Sequence, residues 1–195
     1  MLPAIILLAS IVLFRIAPWL SGNDMVRDLA GYSPLMAFAL CGGVFLPRKW
    51  ALWLPVSAVA ITHVVINVID GQPILHPYFV LTAVAVVVVT AAGIAVSKKA
   101  SLAVVLGASL LSTVLFHLVS NTVSFFIDPG YAKTLAGWWQ CQTTGLPGYL
   151  PTWVFTLRQL GVALGFTALF YAAFRQALPR TGIAPASGHP APAAA

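Results

Sequence analysis

The chain contains no glutamate and only four aspartates, Asp24, Asp28, Asp70 and Asp128. Charge of either sign is scarce. Ten Lys and Arg residues bring the charged fraction to 7%, against about 25% in an average soluble domain. A soluble fold of this size needs charge to solvate its surface. That shortage argues against a soluble enzyme, a nucleic-acid-binding module and a disordered chain. Cysteine is nearly absent too. Cys41 sits in an apolar run and Cys141 in a Gly/Pro-bounded stretch. Two lone cysteines form neither a metal spacing nor a disulfide framework.

What is present in excess is apolar residue. The 195 residues are 60% hydrophobic, enough for one bundle of about five to seven spans and too few for a second domain. The reading is an all-α, polytopic membrane helix bundle. Its apolar stretches are residues 2–19, 33–45, 50–69, 78–97, 100–127 and 153–174, uncharged except for Arg15 in the first and Arg158 in the last, giving about six helices. The first tolerates Arg15 if that side chain snorkels to the interface. With no basic n-region or small-x-small site, it reads as an uncleaved helix rather than a signal peptide. The second is short; it either crosses with tilt or re-enters, buried in protein. Residues 1–175 form the single transmembrane domain. The Ala/Pro-rich residues 176–195 read as a disordered cytoplasmic tail.

The basic residues orient the bundle. With both termini inside, Arg48, Lys49, Lys98, Lys99, Arg175 and Arg180 fall in the cytoplasm. All four aspartates fall outside, with Arg15, Arg27 and Lys133. That is the positive-inside pattern of a multi-pass membrane protein. It also favours counting residues 33–45 as a crossing, which keeps both Arg/Lys pairs on one side.

Polar groups inside a membrane need a reason. Ser109, Thr113, His117, Ser120, Asn121 and Ser124 recur on one face of the fifth helix. His117 and Asn121 repeat a spacing found on the third helix, His63 and Asn67, at a similar depth. Arg158, five residues into the last helix, either snorkels or faces those pairs, where its fork would suit an anionic group. Residues 128–152 lie above them, bracketed by Pro129-Gly130 and Pro147-Gly148. A short interfacial helix between those turns would carry Trp138 and Gln142 as parts of a lid. No metal is expected: two histidines fall short of the three or four ligands of a zinc site. No catalytic triad is expected, because no carboxylate sits in a helix. Gly161, Gly165, Ala168 and Ala172 form a smooth stripe on the last helix, expected to pack inside the bundle or, less simply, against a second chain.

Two further stretches resemble a known family. Arg15…Pro18 with Ser33-Pro34-x-x-Ala37-x-Ala39-Leu40-x-Gly42-Gly43, and Phe116…Asn121 with Tyr131-Ala132-Lys133-Thr134-Leu135-Ala136-Gly137…Pro147, resemble an uncharacterised family of small bacterial integral membrane proteins. That family is similar to the substrate-binding S components of energy-coupling-factor transporters. The resemblance implies six helices, both termini inside, an outward-facing ligand pocket, and energy-coupling transporter subunits as partners. The function expected is therefore binding of a small polar or anionic solute, without cofactor or chemistry. The liners would be His63, Asn67, His117, Asn121 and Arg158, and the lid residues Trp138 and Gln142. The rival expectation is a structural or assembly subunit whose polar residues only join helices.

Overall fold

A computed structural model of the chain describes residues 2–21, 33–75 and 77–177. Seven α-helices lie within them: α1 (Leu2–Leu20), α2 (Leu35–Phe45), α3 (Arg48–Asp70), α4 (Pro77–Val96), α5 (Leu102–Ile127), α6 (Leu135–Gln142) and α7 (Thr152–Ala177). A 3-10 turn, Ser97–Lys99, joins α4 to α5. No strand occurs among the described residues. Four helices, α3, α4, α5 and α7, are long and apolar enough to cross a membrane. The chain is a helical membrane bundle. Apolar runs become helices here because a helix pairs its own backbone groups where no water can.

The helix ends follow from short signals. Gly71, at φ 64°, ends α3 in the left-handed conformation that costs a glycine least. Pro77 opens α4, where its missing N–H is not needed. Ser101 accepts a hydrogen bond from Val104 N at 3.3 Å and caps α5. The short helix expected between the two Pro-Gly turns is α6, capped by Thr134, which accepts from Gly137 N at 3.2 Å. The tail reading, and the polar residues at 22–32, fall largely outside the described residues. Of the tail, Gln176 and Ala177 belong to α7.

The short helix α2 is the centre of the bundle. Its 11 residues cover about 16 Å, roughly half a hydrocarbon core. Leu35, Ala37, Phe38, Ala39, Leu40 and Cys41 are all buried. A helix apolar on every side belongs in the interior, and α2 packs against α3, α4, α5 and α7. Its closest partner is α4, reached through two glycines. A Cβ at Gly43 would stand 2.3 Å from Thr90 O, and one at Gly93 would stand 2.2 Å from Leu40 O. Backbone meets backbone here, and only glycine fits.

The small-residue stripe of α7 does otherwise. Gly161, Gly165 and Ala172 are exposed, and nothing lies within 4 Å of a Cβ built at either glycine. Internal packing of that stripe, expected from spacing, is not found. The buried face of α7 is Ala163, Thr167, Phe170 and Phe174, the same spacing begun two residues later. Bulk decides the matter: Phe170 meets Phe38 edge-on at 6.2 Å and Phe174 stacks on Phe45 at 5.4 Å. Burying two phenylalanines removes far more apolar area than burying two glycines.

Candidate functional site

The upper halves of α2, α5 and α7 enclose a small cavity of about 50 Å³. Its polar lining comes from Ser33, just before α2, Thr113 and His117 on α5, and Gln159 on α7; Met36 and Phe116 supply apolar wall. Thr113 is satisfied, since it donates to Ser109 O at 2.8 Å. Ser33 Oγ is buried and has no hydrogen-bond partner among the described residues. His117 is buried as well. Its ring is gripped by aromatic edges, Phe116 at 5.9 Å and Phe155 at 5.5 Å, and makes no hydrogen bond to a described residue, while its backbone carbonyl accepts from Ser120 Oγ at 3.2 Å. A buried polar group left unpaired costs about 1–3 kcal/mol. Ser33 Oγ is such a group, and beside a void that His117 also lines it marks a place for a guest. A water needs about 10–15 Å³ of such space, so a few waters, or a solute of a few non-hydrogen atoms, fit.

The other residues singled out from the sequence lie elsewhere. His63 stacks on Phe79 at 4.3 Å, and its Nε2 stands 2.7 Å from Ile74 O, a contact in which the nitrogen donates. Asn67 donates to Pro73 O at 2.8 Å. Its amide also lies 3.0 Å from His63 Nε2, which cannot accept while it holds that proton. This pair pins the turn after α3. Asn121 is half-buried, and its backbone carbonyl accepts from the Cys141 thiol at 3.1 Å. Trp138 Nε1 and Gln142 Nε2 both donate to Thr122 Oγ1, at 3.1 and 3.0 Å, fastening α6 along α5. Arg158 is exposed and does not line the cavity. Of the seven, only His117 reaches it.

The polar stripe of α5 is therefore divided by depth. Towards its N-terminal end Ser109 Oγ accepts from Thr167 at 2.9 Å, joining α5 to α7. In the middle Thr113 and His117 face the cavity. Towards its C-terminal end Ser124 meets Tyr78 OH at 2.6 Å.

A family model, described as a family of unknown function (DUF6580), matches residues 1–185. The chain belongs to the DUF6580 family. No curated protein and no solved structure matches it.

In this DUF6580 chain, the stretch Tyr131 to Gly137 builds the corner between α5 and α6. Lys133 Nζ donates to the Phe125 carbonyl and, at 2.6 Å, to Asp128 O. It thereby caps the negative end of α5, with the ammonium 5.1 Å from the Phe125 ring. Thr134 starts α6. Gly137 sits so close to the preceding loop that a Cβ would stand 2.0 Å from Ala132 O. Tyr131, Cys141 and Phe125 close a small apolar cluster beneath. Burial pushes the Tyr131 hydroxyl up to about 12, helped by its hydrogen bond to Cys141, and burial also raises the Cys141 thiol. Neither ionises near neutral pH.

Arg15 is the group that sequence reasoning placed differently. Rather than snorkelling outward, it is half-buried, and its Nε donates to Thr62 Oγ1 at 2.8 Å. Thr62 is fully buried and passes its own proton to Ala58 O at 2.7 Å. The pairing stands at the depth of His117: Arg15, Thr62 and His117 lie about 20–22 Å along their helices. Ser33 and Gln159 escaped notice as site residues because neither carries a helical repeat. Ser33 precedes its helix, and Gln159 was eclipsed by its neighbour Arg158.

Proposed function

We propose that this chain is a membrane-embedded receptor for a small polar solute, which it holds in the cavity between Ser33 and His117 without transforming it. One observation carries the reading: the buried Ser33 hydroxyl, which has no partner among the described residues, borders the same void as the buried His117. A neutral histidine offers one donor and one acceptor, and the hydroxyl beside it adds a donor and two acceptor lone pairs. With Arg158 exposed away from the cavity, the solute is a neutral hydrogen-bonding molecule rather than an anion. In the bilayer the chain makes six crossings with both termini in the bacterial cytoplasm. The cleft that brings Arg48 and Lys98 to one end of the bundle supports that sidedness. The likeness to S components of energy-coupling-factor transporters belongs to this reading, and with it the partner subunits that would receive the solute.

A panel of small neutral polar solutes, screened by thermal unfolding in detergent, tests it. A solute that binds stabilises the fold by about 2.7 kcal/mol at a hundredfold excess over Kd. Filling the void with Ala163→Leu should abolish the shift and leave the fold intact. A shift that survives Ala163→Leu refutes the site.

A second reading, a subunit whose polar residues only join helices, draws on the Thr167–Ser109 and Arg15–Thr62 hydrogen bonds. It leaves the Ser33 hydroxyl without a purpose. If His117→Leu and Ser33→Ala each raise stability and no solute shifts the unfolding, this second reading stands instead.

A further inference from the structure

At the opposite end of the bundle from the His117 cavity, a larger cleft of about 390 Å³ opens between the end of α2 and the end of α4. Gly43 forms part of its lining, at the seam where α2 and α4 touch. Val44, Leu46, Ile94 and Ala95 give it an apolar wall, and Arg48 and Lys98 stand at its mouth. The two cations come from separate segments. Each is exposed and makes no ion pair or hydrogen bond among the described residues. Neither Asp70 nor Asp128 can compensate them, since both lie at the far ends of α3 and α5. Lys49 and Lys99 adjoin them in sequence but do not line the cleft. Lys49 instead lies 5.8 Å from the Trp50 ring, an aromatic of the kind that marks a headgroup layer.

We propose that this cleft is a binding site for one anionic phospholipid, its phosphate held between Arg48 and Lys98 and the start of its acyl chain against Leu46 and Ile94. The shared chemistry is a phosphate group. The apolar wall and the neighbouring membrane-spanning helices select the lipid over the free ion. A guanidinium forks onto phosphate oxygens, an ammonium adds a point charge, and concave basic sites between helices at a cytoplasmic face suit anionic headgroups.

The test is native mass spectrometry and lipid titration of the full chain, using phosphatidylglycerol, phosphatidylcholine and inorganic phosphate as probes. Wild type should retain one phosphatidylglycerol in preference to phosphatidylcholine. The double variant R48Q/K98Q should bind it about 30-fold more weakly, the factor for two cations at a membrane surface. K49Q/K99Q removes the same charge from outside the cleft and should keep most of the affinity. Ala95→Phe fills the cleft, leaves every charge in place and should also expel the lipid, so the result does not hinge on one variant folding. Equal losses in the two charge variants would reduce the effect to general surface attraction and overturn the proposal. So would full binding in Ala95→Phe, or displacement of the lipid by millimolar inorganic phosphate.

Discussion

Adding one methyl group at Gly93 tests the central seam. A Cβ built there falls 2.2 Å from Leu40 O and 3.1 Å from Gly43 Cα. An ordinary carbon–oxygen approach is about 3.3 Å, so α2 and α4 must part by about 1 Å. A gap of about 0.5–1 Å forfeits a quarter to a half of each dispersion well along the seam. The colliding atoms are backbone, so no side chain can swing aside. Overpacking of this kind costs about 1–3 kcal/mol. The helix preference for alanine over glycine, about 1 kcal/mol, recovers part of that. Gly93→Ala should therefore lose up to about 2 kcal/mol net. Gly161→Ala meets nothing within 4 Å and should be neutral or gain up to about 1 kcal/mol. Unfolding by SDS in mixed micelles, followed by far-UV circular dichroism, reads both. Gly93→Ala as stable as Gly161→Ala would refute the close approach of α2 to α4.

Thr62→Val removes the acceptor of the Arg15 hydrogen bond and should cost about 1.5–3 kcal/mol in the same titration; an unchanged midpoint would show that Arg15 finds another partner. Tyr131 is held protonated to about 12 against an ordinary 10.0. Between those values the unfolded chain ionises while the folded one does not. The stability that Tyr131 contributes is thus complete below pH 10 and lost as pH rises towards 12; the alkaline fall should be shallower in Tyr131→Phe. Cys141 is 2% exposed with a raised thiol pKa, so iodoacetamide at pH 8 should label it at least about tenfold more slowly than a free thiol. Rapid labelling would show that α6 detaches from α5. Gly165→Leu should leave folded yield in detergent unchanged, because its glycine faces outward; a collapse in yield would contradict the assigned buried face of α7.

The helices were legible because a bilayer makes a simple demand: each apolar run became one helix, and most bounds differ by one or two residues. The uncharged run at 33–45 became α2, but its place at the centre was not legible. Length and apolarity describe a buried helix and a thin crossing alike, and what centres α2 is contact with four neighbours. On α7, spacing picked out the glycine stripe, yet bulky Phe170 and Phe174 two positions on took the interior. Spacing finds a face but not which face wins. At the candidate site, Ser109, Thr113 and His117 of the α5 stripe are buried, and His117 lines the cavity. The matching His63 and Asn67 share its spacing and depth, but the turn at Gly71 brings the Ile74 and Pro73 carbonyls within their reach, and local hydrogen bonds claimed them. Lys133 read as a charge outside the membrane, while its use as a helix cap depends on a fold of the chain that no spacing encodes.

The claim that the Ser33–His117 cavity holds a solute is tested most directly by mass spectrometry of the small molecules released on denaturing purified protein. Wild type and Ala163→Leu are prepared side by side. The account predicts one neutral polar compound, near one per chain, from wild type and its absence from Ala163→Leu. Lipid alone from both proteins, or the same compound in equal amount from each, would contradict it.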